Sequence, residues 1–298
     1  MPNRSLAGIF PPIPTPFKAD WQVDYDHLQS NLNRWNQEPL AGYVVCGSNG
    51  EYTYLTLDER VELIRAARQV IPGDGMLIAG SGMESTHETI DLTRRMAQAG
   101  ADVALVVTPC YYRGRMTAAA LEQHYRQVAD ASPIPVVLYS VPANTGLDLP
   151  AQVAISLAKH PNIIGMKDSG GDVTKIGYMA HETRAEDFQI LAGSAGFLLG
   201  ALAVGAVGGV CALANIAAAR LTCLWKCFCQ GNTMKAREIQ LPLIEANTAV
   251  TSRFGVPGLK AAMDLLGYYG GPVRSPLMPL PEEDKVTLRN ILTKAELS

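Results

Sequence analysis

Two side chains in this sequence combine reactivity with an unusual position. Lys167 follows the apolar run of "NIIGMKDSGG" and Tyr139 closes "PVVLYSVP", one run upstream. Of nine lysines, only Lys167 ends an apolar, strand-like run. Burial disfavours an ammonium ion, and a lysine amine freed of its proton attacks ketones and aldehydes. From the lysine alone, a side chain that snorkels out of the strand end, or pairs with Asp168, is the preferred reading. Tyr139 changes the balance. A phenol ending the adjacent strand reaches the same mouth, so the two form an imine-forming pair of nucleophile and proton carrier. Gly165, two residues before Lys167, shares its strand face and leaves space for the long stem. "GSNGE" adds Ser48 and Asn49 on a glycine-flanked turn before a helix, where exposed N–H groups suit a carboxylate; any tight turn at that place reads alike.

The elements that must carry these residues alternate. Eight apolar runs read as strands: "GIFPPIPT", "GYVVCG", "GMLIAGSG", "DVALVVTP", "PVVLYSVP", "IIGMKDS", "QILAGS" and "GGVCAL". Amphipathic segments lie between them. "TLDERVELIRAARQVI" has Thr56 and Glu59 at capping-box spacing. Ser85 and Glu88 repeat that spacing, and Pro150 marks a first helical turn. Continuous apolar strands alternating with helices mean a parallel sheet covered on both faces. Eight units in about 230 residues predict an α/β fold, a (β/α)8 TIM barrel, for which about 250 residues is usual. A doubly wound sheet is the rival, but "GSGMES" at Gly80 lacks the third glycine of a dinucleotide fingerprint. After residue 231 the alternation stops, which predicts a catalytic barrel over residues 1–231 and a C-terminal helical extension over 232–298. Glycine, serine and proline gather after six of the strand runs, at the rim where barrel chemistry collects.

Bulk properties narrow the function. A net charge of −3 with 18% charged residues points to no nucleic acid and no membrane surface. The six cysteines (Cys46, Cys110, Cys211, Cys223, Cys227, Cys229) form no C-x-x-C pair and read as free, mostly buried thiols. The five histidines cluster with no other ligand type, so no metal site is expected. No presequence is legible before the first strand, which predicts a cytoplasmic protein, or a mitochondrial one if this is a mature eukaryotic form. The uncharged stretch from Phe197 to Ala219 has the length of a membrane span, but its glycines favour a helix followed by a buried strand.

Ordered motifs along nearly the whole chain give a resemblance. They are G-[ST]-x-G-E at Gly47 to Glu51, Y-[SN]-[VI]-P at Tyr139 to Pro142 and G-[IM]-K at Gly165 to Lys167. The sequence resembles the dihydrodipicolinate synthase and N-acetylneuraminate lyase family of pyruvate-dependent class I aldolases. "VTPCYYRGRM", "VVLYSVPANTGLDLP", "GMKDSGGDVT" and "LAGSAGFL" look most like its 4-hydroxy-2-oxoglutarate aldolase branch. The synthase branch usually carries an arginine two residues after the proline of Y-N-V-P, and Asn144 stands there.

The resemblance implies roles. Lys167 forms the Schiff base, Tyr139 moves protons, and Ser48 and Asn49 hold the carboxylate next to the reacting carbon. Tyr111 enters a neighbouring subunit's site as part of a proton relay; Tyr112 beside it competes for that register. Ser169, Gly193 and Ser194 line the distal end of the pocket, where Asn144 leaves only neutral donors. The implied reaction is cleavage of 4-hydroxy-2-oxoglutarate to pyruvate and glyoxylate by a homotetramer, a dimer of dimers, without metal or organic cofactor. Other pyruvate-dependent lyases, synthases or sugar-acid dehydratases of the same scaffold are the alternatives. An NAD-dependent oxidoreductase or a non-catalytic barrel would be the readings from other classes.

Overall fold

The computed structural model describes residues 4–297. Residues 1–3 and 298, the outer ends of the two expected units, lie outside the described residues. The strands are β1 (Gly8–Phe10), β2 (Gly42–Val45), β3 (Met76–Gly80), β4 (Val103–Val107), β5 (Val136–Ser140), β6 (Ile163–Asp168), β7 (Gln189–Ala192) and β8 (Gly208–Val210). Helices α1 (Tyr25–Trp35), α2 (Leu57–Val70), α3 (Thr86–Gln98) and α4 (Ala118–Ala131) follow the first four. The short α5 (Pro142–Thr145) and α6 (Ala151–Leu157) follow β5. Then come α7 (Val173–Glu182), α8 (Leu198–Ala203) and α9 (Ala214–Cys229), and the C-terminal α10 (Thr233–Thr248), α11 (Gly255–Leu265) and α12 (Glu282–Lys294).

All strand pairs are parallel, in the order β1-β8-β7-β6-β5-β4-β3-β2. Backbone hydrogen bonds from Ile13 N to Val44 O (2.9 Å), Val44 N to Pro11 O (3.0 Å) and Ala41 N to Ile9 O (3.1 Å) join the two ends of that order. The result is the expected (β/α)8 barrel with a C-terminal helical extension. Alternate residues along the strands face opposite sides. Phe10, Val44, Ile78 and Val137 belong to an interior cluster, whereas Ile9, Tyr43, Leu77 and Leu138 pack against the helices. Both expected caps form: Thr56 and Glu59 make a complete capping box, and the Ser85 hydroxyl accepts from Glu88 N. Pro150 stands at the N-cap of α6, one residue earlier than expected.

One register irregularity matters for function. β5 and β6 pair Val136 with Ile163, then Val137 with Gly165, so β6 carries one extra residue. A bulge of this kind shifts every later side chain by one position. It brings Lys167 opposite Tyr139; without it, Met166 would stand there.

The stretch from Phe197 to Ala219 divides into α8, β8 and the start of α9, and no helix among the described residues is long and apolar enough to cross a membrane. The cysteine expectation needs correction. All six are free, but only Cys46 and Cys211 are buried. Cys223 and Cys229 are exposed on α9, and Cys110 and Cys227 are half-buried.

Candidate active site

Lys167 is 3% exposed at the C-terminal end of β6, so it does not snorkel into solvent. It does not pair with Asp168 either. That carboxylate, fully buried, faces Lys175 at 2.9 Å, and Lys175 also reaches Asp148 at 2.6 Å. The Lys167 Nζ lies 4.0 Å from the centre of the Tyr139 ring. The two residues that could do covalent chemistry are therefore in direct contact inside the barrel mouth.

Tyr139 is itself 4% exposed, and its hydroxyl lies 3.3 Å from Ser48 Oγ. Burial alone would raise its pKa, making the phenol a weaker acid. The Lys167 charge, with hydrogen bonds from Ser48, Lys167 and Ser169, overcomes that and holds the phenol below its ordinary range. Tyr125, fully buried with no cation beside it, goes the other way and is pushed up by burial.

Gly165 has a different purpose from the one expected. A β-carbon there would lie 2.1 Å from the Gln189 carbonyl oxygen and 3.1 Å from Leu6 Cδ1. The glycine permits close approach of β7 and of Leu6, and the three atoms nearest that position belong to these two residues, not to the lysine stem.

Ser48 and Asn49 lie on a 3-10 turn, Ser48–Gly50, directly after β2. The turn is held from below by the Thr15 hydroxyl, which donates to Gly50 O at 2.6 Å. Ser169 follows β6, and its amide donates to Ser140 O at 2.9 Å. Gly193 stands so close that a β-carbon would fall 1.9 Å from Ser169 Oγ, so only glycine lets the two loops meet. Ser194 contacts the Asn247 side chain of α10, with Asn247 Nδ2 donating at 3.0 Å. Thus Lys167, Tyr139, Ser48 and Ser169 are brought together, with Asn49, Gly193 and Ser194 on adjoining loops.

Two expected residues stand apart. Asn144 is exposed on α5. Tyr111 is 79% exposed on the loop after β4, stacked edge-on against Tyr112. Glu84 anchors that loop by accepting from Cys110 N (3.0 Å) and Tyr111 N (2.8 Å). Within its own chain, Tyr111 is not among the groups hydrogen-bonded to Tyr139 or Ser48.

Sequence reasoning missed the buttress behind the Ser48 turn. Glu51, in the left-handed region at φ 55°, directs its carboxylate to Lys260 of α11 at 2.6 Å, and each side chain is 1% exposed. The other Glu51 oxygen accepts from Arg274 N at 2.8 Å, and Lys260 donates to Pro272 O at 2.8 Å. The C-terminal extension therefore braces the turn that carries Ser48 and Asn49. Glu51 was visible as the end of a motif, but Lys260 in "VPGLKAAMDLLG" reads as an ordinary helical lysine. Removing one member of a buried pair strands the other charge, so Lys260→Met should destabilise the fold by about 3–5 kcal/mol in urea unfolding. A loss below about 1 kcal/mol would show that Glu51 finds water or another partner.

The family model of the dihydrodipicolinate synthetase family matches residues 5–295. The 4-hydroxy-tetrahydrodipicolinate synthase of Methanoculleus marisnigri is 37% identical, over 96% of this chain and 98% of that protein. The protein of the same name from Methanothrix thermoacetophila is also 37% identical, over 96% of each chain. Among solved structures, the chloride-inhibited dihydrodipicolinate synthase of Acinetobacter baumannii complexed with pyruvate superposes with a TM-score of 0.93. It is 30% identical, with 99% of this chain and 100% of that one covered. These relatives carry the synthase name, not that of the 4-hydroxy-2-oxoglutarate aldolase branch. With nearly its whole length matched by the family model and by both relatives, the chain belongs to the dihydrodipicolinate synthetase family.

Proposed function

We propose that this chain is a Schiff-base lyase that cleaves 4-hydroxy-2-oxoglutarate to pyruvate and glyoxylate. The observation that carries the covalent chemistry is the buried Lys167 in contact with Tyr139, whose hydroxyl lies beside Ser48. The Lys167 amine adds to the 2-oxo carbon and water is lost, leaving an iminium ion. Tyr139 carries the protons that these steps release and take up. A base removes the proton of the C4 hydroxyl, the C3–C4 bond breaks, and its electron pair moves into the iminium to give an enamine. Glyoxylate leaves. Protonation at C3 and addition of water release pyruvate and restore the amine. The iminium is the electron sink that lowers the barrier to carbon–carbon cleavage.

Ser48 and Asn49 hold the carboxylate next to the reacting carbon, and Ser169, Gly193 and Ser194 line the distal end, with Asn144 exposed on α5 outside that group. The active form is a cytoplasmic homotetramer in which Tyr111 enters a neighbouring subunit's site. The exposure of Tyr111 and Tyr112 on an anchored loop supports that role.

The names of the relatives favour a second reading, a 4-hydroxy-tetrahydrodipicolinate synthase, which on the resemblance would join pyruvate to an aldehyde that carries its own carboxylate. Asn144 supports the lyase, because the position lacks the arginine that the synthase branch usually offers its second substrate. A direct comparison separates them. We expect pyruvate release from 4-hydroxy-2-oxoglutarate with a kcat/KM at least about 100-fold above that for condensing pyruvate with any of a panel of carboxylate-bearing aldehydes. The reverse preference would replace the lyase by the synthase and leave the Lys167 chemistry intact.

A further inference from the structure

Beside the candidate site, Ser48, Tyr139, Tyr52 and Arg60 of α2 line one small cavity of about 10 Å³. That is room for about one water molecule. Arg60 is 2% exposed. Its Nη2 donates to the carbonyls of Gly80 (2.6 Å) and Gly82 (3.3 Å), its Nη1 to Met83 Sδ (2.9 Å), and its Nε has no partner. None of these acceptors carries a charge. Among the described residues Arg60 forms no ion pair, and no carboxylate is among the groups that act on its charge. The titratable groups closest to it, Cys46 and Tyr52, are both pushed up to about 12 by burial and stay neutral. The Tyr52 ring lies 5.0 Å from the guanidinium centre and offsets part of the cost of burying it, but no negative charge balances it, and an anion would complete the site.

We infer that Arg60 is the buried positive charge that recognises the carboxylate next to the 2-oxo carbon, acting from behind the Ser48 turn. Neutral donors on the turn orient that carboxylate, and Arg60 supplies the attraction that selects an anion over an uncharged ketone. The glycine carbonyls hold the guanidinium in place without neutralising it. This rests on the Lys167 reading and names a specificity residue for it.

The test compares pyruvate with its neutral ethyl ester, each trapped on the protein by cyanoborohydride and counted by intact mass. Arg60→Gln should raise the half-saturating pyruvate concentration about tenfold, since a buried charge is screened little. It should leave that of ethyl pyruvate unchanged, and Arg60→Lys should restore most of the pyruvate affinity. An equal loss for both compounds would mean that Arg60 only supports the fold, and no loss for pyruvate would overturn the inference outright. Should the glutamine variant fail to fold, the unmodified protein gives an independent reading. Its half-saturating pyruvate concentration should change less than about twofold between low and high salt. A steep salt dependence would place the selecting charge on the surface and sink the proposal. Absence of any adduct in the unmodified protein would overturn the Lys167 reading; an adduct without charge discrimination would overturn only the role of Arg60.

Discussion

Lys167→Ala should lose turnover by about 10⁵-fold or more while the chain remains folded. The expectation follows from what the side chain touches. It is 3% exposed, lies against the Tyr139 ring at 4.0 Å and makes no ion pair among the described residues, so truncation leaves no stranded carboxylate behind. The opposite holds for Lys175, which ties Asp168 and Asp148. Lys167→Ala should therefore separate chemistry from stability: a normal urea transition with no pyruvate release. Arginine at the same place keeps the charge but is not a nucleophile, so Lys167→Arg should be as inactive. Measurable turnover by either variant, above a few per cent of the unmodified protein, would remove Lys167 from the reaction.

Tyr139→Phe should lower kcat by about 10²–10⁴-fold, the range for removing a positioned proton carrier, with a smaller change in KM. The ring remains, so the interior cluster around Val137 and Leu191 stays filled. What disappears is the hydroxyl that faces Ser48 at 3.3 Å and shares hydrogen bonds with Lys167 and Ser169. A spectroscopic change accompanies the kinetic one. The Tyr139 phenol is held below its ordinary range, so it ionises at lower pH than an unperturbed tyrosine. The variant should lose the earliest step in the alkaline titration of the tyrosinate band. If that step persisted, or kcat fell less than about tenfold, another group would be the proton carrier.

Much of this was legible in the residues, and the remainder was hidden for physical reasons. Strand alternation and capping are local, so the barrel and the pairing of Tyr139 with Lys167 could be read from periodicity. The bulge that makes the pairing true could not, because it depends on how β6 meets β5. Gly165 showed the same limit: its neighbours are Gln189 and Leu6, on other segments. The Glu51–Lys260 pair joins the start of the barrel to the C-terminal extension, and neither residue announces the other. Arg60 is the sharpest case. Within "LDERVELI" it looks like a solvated helix charge, and only the return of α2 over the ends of β2 and β3 buries it against the site. The exposed cysteines of α9 failed for the converse reason, since thiol burial was assigned by residue type without a face.

One experiment bears most directly on the covalent step. The unmodified protein is incubated with pyruvate, reduced with borohydride, digested and mapped by mass. The lysine amine should carry one reduced pyruvyl group per chain, on the peptide that contains Asp168 and Ser169 and nowhere else. A protein recovered without that group, or labelled instead at Lys175 or Lys260, would contradict the account.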